Sequence, residues 1–339
     1  MVTRVKLLTL AAAMLAGAAA GLLVLTVRAD RAGTESPSRA RPAPPTTRRA
    51  SAAEEDYPSA KLRAACEAAA NRLREKLDDT FTVVVSPPFV VAGNSAAARV
   101  RAYAEQSVIR PAEALWRGYM DRKPTDAITA LLFKDVRTYR HWAKALYGDT
   151  DLPHYGYCRG DGVMVMNIAT GTGTLVHELT HALIAYDFPT VPMWFNEGFA
   201  CLHEQCTVKR DTIVGHTNWR LPGLQKALRA GTLRPLRDLV TKRDFYGDLR
   251  GVNYAQARYF VLYMQRKGVL KRFYTHFRKL HAEAAKRRAE ALRSAATVRA
   301  AGAAEEGMLD VQAIEFIFGR KVDEIDAAIR KWIPTLHFP

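Results

Sequence analysis

Apolar residues fall into three patterns along this chain, and each predicts a different kind of segment. Residues 7–27 run almost unbroken through Leu, Ala, Gly and Val, with Arg4 and Lys6 just ahead of them. About 20 such residues can span a bilayer, whereas the apolar core of an export signal is about 7–15 long. Val27-Arg28-Ala29 also offers small residues around a cleavage point. Residues 1–29 therefore read as a signal peptide or an N-terminal membrane anchor, and the remainder is expected outside the cytoplasm. Residues 30–56 lose the apolar pattern and become rich in Pro, Ser, Thr, Ala and Arg. Such a composition cannot bury a core and reads as a disordered tether.

Regular periodicity begins near Tyr57. Leu62, Cys66, Ala69, Leu73 and Leu77 recur at helical spacing and predict a helix over Lys61–Leu77. Phe81–Val85 and Phe89–Val91 are β-branched and aromatic, so two short strands are expected around Pro87-Pro88. A long helix is predicted over Ala96–Met120, kinked at Pro111. A buried strand follows over Ala127–Phe133, a helix over Val136–Leu146 and a strand over Val163–Ile168, with a turn at Gly160-Asp161-Gly162. After Gly173 the pattern is almost entirely helical. The expected architecture for residues 57–339 is α+β: a small mixed N-terminal lobe with a short sheet, then a mainly helical lobe.

Composition changes this picture little until the charge is located. The 339 residues carry 50 Lys+Arg against 34 Asp+Glu, a formal net charge of +16. Such basicity first suggests nucleic acid or an anionic surface. The surplus is local, however. Residues 1–50 hold eight Lys/Arg against two Asp/Glu, and residues 264–300 hold eleven against two. The rest is close to neutral, and no aromatics are interleaved as in a nucleic-acid module, so no nucleic-acid partner is expected. The Ala-rich stretch at about 281–306 reads as a solvated helix or insertion. Its Lys and Arg suit an anionic membrane or cell-wall surface.

The candidate chemistry centres on His177-Glu178-Leu179-Thr180-His181, inside a predicted helix over Thr174–Tyr186. Two His four apart project from one helix face and can bind one Zn2+ ion. A carboxylate at Glu178 would lie beside that ion, placed to take a proton from water. A catalytic zinc needs a third protein ligand, and Glu197 follows His181 by sixteen residues. Trp194, Phe195 and Phe199 flank it, which predicts a buried segment where an ionised carboxylate needs a partner.

HELTH followed by Trp194-Phe195-Asn196-Glu197-Gly198-Phe199-Ala200 resembles the gluzincin metallopeptidases. The second motif is similar to that of aminopeptidase N-type enzymes. With Pro192 ahead of it, the pair most resembles bacterial peptidase MA-like domains, which join HExxH to P-x-W-x-x-E-G-x-A. The resemblance covers roughly residues 80–280, with a weaker echo in FGRKVDEIDAAIRKWI at the end. It implies a zincin-type helical lobe, His177, His181 and Glu197 as zinc ligands, Glu178 as general base, and a peptide or protein substrate. It also implies an oxyanion-holding tyrosine at the start of a downstream helix. Tyr254, 57 residues after Glu197, is the matching position, with Tyr246 and Tyr259 as weaker candidates. The interval between the two motifs is shorter than in aminopeptidases. No G-A-M-E-N signature precedes them, so exopeptidase action is not implied.

Secondary signals are less specific. Cys66, Cys158, Cys201 and Cys206 allow disulfides in an exported protein or stand as free thiols. His203 and Glu204 follow Glu197, where surface or core roles outweigh a part in orienting ligands. Asp187 is placed in sequence to accept a ring N–H from His177 or His181. The strand before the HELTH helix is a candidate for edge pairing with an extended peptide. Two other functions compete with a general peptidase. One is a non-catalytic peptidase-like module that binds a surface or cell wall. The other is a zinc amidase acting on wall crosslinks.

Overall fold

The computed structural model describes residues 57–338 apart from 160, 210–211 and 295–301. The expected leader and tether, and part of the basic Ala-rich stretch, lie outside the described residues. Among those described, no helix is long and apolar enough to cross a membrane.

Helix α1 (Ala60–Lys76) opens on Ser59, whose hydroxyl accepts from the Leu62 N–H and satisfies one of the free amides of the first turn. Its Leu62, Cys66, Ala69 and Leu73 are buried at the predicted spacing. Strands β1 (Thr82–Ser86) and β2 (Phe89–Gly93) form an antiparallel pair. The predicted long helix is present as α2 (Ala97–Tyr103), a π-helical segment (Ala104–Ile109) and α3 (Arg110–Gly118). Pro111 lacks an N–H and crowds the preceding turn, and the chain widens into the π segment just before it.

Strand β3 (Ile128–Phe133) and helix α4 (Val136–Tyr147) follow, then β4 (Gly156–Cys158) and β5 (Val163–Asn167). The five strands make one sheet in the order β1-β2-β3-β5-β4. β2, β3 and β5 run parallel, while β1 and β4 pair antiparallel at the two edges. Residues alternate between two cores. Phe89, Val91, Ala130, Leu132, Met164 and Met166 face one, and Val90, Ala92, Leu131, Phe133 and Val165 face the other with α1 and α4. A parallel sheet covered on both faces accounts for the unbroken apolar runs of β2 and β3.

The second half contains helices α5 (Gly173–Asp187), α6 (Met193–Leu202), α7 (Leu221–Arg229) and α8 (Leu236–Thr241). They are followed by α9 (Arg250–Arg266), α10 (Leu270–Ser294), α11 (Gly302–Phe318) and α12 (Val322–Trp332). α9 is buried on every face from Asn253 to Met264 and forms the axis of this half. The α+β expectation therefore holds.

Two details differ from the sequence reading. The second half is not purely helical, because β6 (Cys206–Lys209) and β7 (Thr212–Gly215) form a hairpin. Its Thr, Val and Ile carry strand propensity, but four residues are too few to set a visible period. Gln265 fixes it, donating to the Gly215 carbonyl and accepting from the Gly215 N–H, both at 2.9 Å. The second detail is that β5 is not an edge strand. β4, too short to read from sequence, takes the edge beside α5.

α6 and α9 pack so closely that a Cβ on Gly198 would sit 2.8 Å from the Ala257 carbonyl oxygen. Gly198→Ala should therefore destabilise the protein by about 1–3 kcal/mol through overpacking. Denaturant unfolding followed by circular dichroism measures it, and an unchanged midpoint would refute the close-packing account.

Candidate metal centre

α5 carries His177 and His181 one turn apart, and their Nε2 atoms converge to 3.0 Å. α6 packs across α5 and brings Glu197 to the same point. Its Oε2 lies 3.5 Å from His177 Nε2 and 3.4 Å from His181 Nε2. Glu197 is only 6% exposed, and Oε2 is buried without a hydrogen-bond partner. The three side chains thus offer one ligand atom each around one point and could hold a metal ion.

The remaining ring nitrogens settle which ends face that point. His181 Nδ1 lies 2.9 Å from Asn196 Oδ1, an acceptor, so Nδ1 carries the proton and Nε2 keeps its lone pair. His177 Nδ1 faces Glu204 Oε1 at 3.3 Å, an ion-pair separation with imperfect hydrogen-bond alignment. Glu204 is itself gripped by Arg220, whose Nη2 donates to Oε1 at 2.8 Å and Nε to Oε2 at 3.1 Å. Asn218 donates a further bond to Oε2 at 3.0 Å. Burial alone would raise the Glu204 pKa, but the Arg220 guanidinium and the adjacent His177 ring outweigh it and hold the carboxylate ionised.

Glu204 is thus a buried side chain held by Arg220 beside His177, the core role expected from sequence rather than a surface one. The helix spacing hid its place beside His177 because the chain leaves α6 at His203, and the turn carries Glu204 back toward α5. A Cβ on Gly173 would lie 2.6 Å from the Glu204 carbonyl oxygen, so the start of α5 is seated directly on that turn. Cys201 Sγ joins His177 Nδ1 and Glu204 in a second grouping with metal-ligand spacing. There the Arg220 cation already neutralises the carboxylate. All four cysteines are free thiols.

Asp187 does not reach either histidine. It turns toward the first half, accepting from the Asp121 and Arg122 N–H groups at 2.8 Å each and from the Tyr274 hydroxyl at 2.9 Å, and pairing with Arg278. The i+6 separation from His181 places it on another face of α5. His203 is fully buried against Phe199 and Tyr119. Burial, then the Arg258 charge, push its pKa down to about 3, so it stays neutral.

Glu178 is half-buried on α5, adjacent in sequence to His177. Burial pushes its pKa up against the opposing pull of His177 and His181. Tyr254 is buried one turn inside α9 rather than at its opening, with the Arg220 guanidinium 5.3 Å above its ring. Tyr246, the weaker candidate, is the phenol that touches the centre, donating to Glu197 Oε1 at 2.5 Å. Tyr259 does not approach it, because its hydroxyl bonds the Asn218 backbone.

No protein family matches the chain, and no curated protein matches it.

The Arg220–Glu204 pair can be probed directly. Removing one member of a buried ion pair leaves the other charge uncompensated, so Arg220→Met should cost about 3 kcal/mol in denaturant unfolding. A variant as stable as the parent would show that Glu204 does not depend on Arg220.

Proposed function

We propose that the chain is a zinc-dependent peptidase of gluzincin type, with His177, His181 and Glu197 as ligands and Glu178 as general base. One observation carries the proposal: a buried, unpartnered carboxylate oxygen aimed at two convergent imidazole nitrogens. With both imidazoles neutral, such an arrangement leaves lone pairs facing lone pairs, which a bound metal cation would relieve. The spacing fits zinc. Bonds of about 2.0–2.1 Å in tetrahedral geometry separate ligand atoms by about 3.3 Å. The three measured edges are 3.0, 3.4 and 3.5 Å. Two histidines and one carboxylate leave a coordination position free, as catalytic sites require and structural sites do not.

When bound, zinc would supply Lewis-acid polarisation of a carbonyl and a water acidified toward a pKa of about 7. The protein's own residues do the rest. Glu178, unpaired and held out of bulk water, takes the proton from the attacking water at a carboxylate oxygen and passes it to the leaving amine nitrogen. Its burial raises its basicity, in the direction that favours accepting a proton. Tyr254 is the phenol assigned to the oxyanion that develops on the attacked carbonyl. An extended peptide would pair with the free edge of β4, which runs beside α5. The leader would export or anchor the catalytic part.

Two measurements test this reading. Zinc added to metal-free protein should raise its melting temperature, by linkage of binding to folding. His177→Ala and His181→Ala should abolish that rise, and a rise unaffected by both would place the metal elsewhere. Glu178→Gln should keep zinc and lose about 10²–10⁴-fold in peptide cleavage, seen by proteomic cleavage profiling beside the parent. Equal biological effect of parent and Glu178→Gln would instead mark a non-catalytic surface-binding module.

A further inference from the structure

We infer that Tyr246 is a positioning residue that fixes which oxygen of Glu197 faces the metal; the inference rests on the zinc reading above. A carboxylate has two equivalent oxygens and rotates about its last bond. Left free, it can turn either oxygen to a cation, or both at once. In this protein the two oxygens are not equivalent. Oε1 accepts from the Tyr246 hydroxyl at 2.5 Å, and Oε2 alone faces His177 and His181. The phenol thereby commits Glu197 to present a single oxygen.

Tyr246 can do this because its own position is fixed. It lies on the loop between α8 and α9. The Phe245 carbonyl beside it accepts from the buried Asn253 side chain at 2.8 Å. Asp244, two residues before it, is paired with Arg234 at 2.9 Å. The Phe245 ring is buried edge-on against Tyr254 at 5.3 Å. The Tyr246 hydroxyl directs its proton to Glu197. The Met193 sulfur, 2.9 Å from the same hydroxyl, is a weak acceptor beside an ionised carboxylate.

A phenol has one proton. Committed to Glu197, that proton is not available to a substrate oxygen, which separates the work of the two tyrosines. Tyr246 holds the ligand, and Tyr254 remains the one assigned to the oxyanion. The pairing joins positions 49 residues apart, on a helix and a loop that share no sequence pattern.

The test is zinc affinity of the purified full chain, measured against a chromophoric chelator for the parent, Tyr246→Phe, Tyr254→Phe and His177→Ala. Tyr246→Phe keeps the ring and removes only the hydroxyl, and a melting curve of the metal-free protein checks that it folds. It should bind zinc about 10–100-fold more weakly, as loss of a partner to a metal ligand does. Tyr254→Phe should bind close to the parent. Cobalt loaded in place of zinc should show altered visible bands in Tyr246→Phe, because the carboxylate is released to a second binding mode. Parental zinc affinity and cobalt spectrum in Tyr246→Phe would overturn the inference. So would lost cleavage at parental affinity, which would assign the phenol to substrate instead. If His177→Ala binds zinc as the parent does, the zinc reading fails first and takes this inference with it.

Discussion

The centre depends on the burial of one carboxylate. Glu197 sits in a helix packed on α5 on one side and α9 on the other, and Gly198 lets α9 approach within a distance that no side chain would allow. Without that approach the carboxylate would be solvated, and its charge would be of no consequence. With it, the charge is unaffordable unless something positive is near. The two imidazoles supply nitrogens at a spacing that could hold a metal ion with it, and a cation between all three would remove the penalty.

The surrounding layers all restrain the same few atoms. Asn196 and Glu204 act on the outer nitrogens of the two histidines, and Tyr246 acts on the spare oxygen of Glu197. At the start of α6, the Trp194 indole N–H donates to Asp310 at 2.8 Å, and Asp310 also contacts His281 at 2.8 Å. That buried link ties α6 to α10 and α11, while Trp194 packs among Phe260, Phe273 and Phe277. α6 is thus clamped from both ends. Rigid support of this kind is what holds ligands within the tolerance a metal needs.

The parts legible in sequence were those with strong local signals. α1, α4 and the three parallel strands announced themselves through period and β-branching. The kinked helix announced itself through Pro111, although its break takes the form of a π segment ahead of the proline. The β6–β7 hairpin and the β4 edge were not legible, because strands of three or four residues set no period. Asp187 was misread because proximity in sequence does not give direction. Six positions past His181 is a different helix face, where Arg278 and two backbone amides claim the carboxylate. The place of Glu204 beside His177 was hidden for the converse reason. A turn after α6 returns it to His177, and only the path of the chain shows that.

The sequence by itself determined the donor set. Helical geometry puts His177 and His181 on one face, and the aromatic flanks of Glu197 require its burial. Both follow from local spacing and composition. Only the tertiary structure decided how the donors are aimed. The acceptor for His181, the buried ion pair behind His177 and the phenol on Glu197 come from the next helix, a turn and a distant loop. Contacts of that kind arise from packing between elements. No periodicity along the chain encodes them.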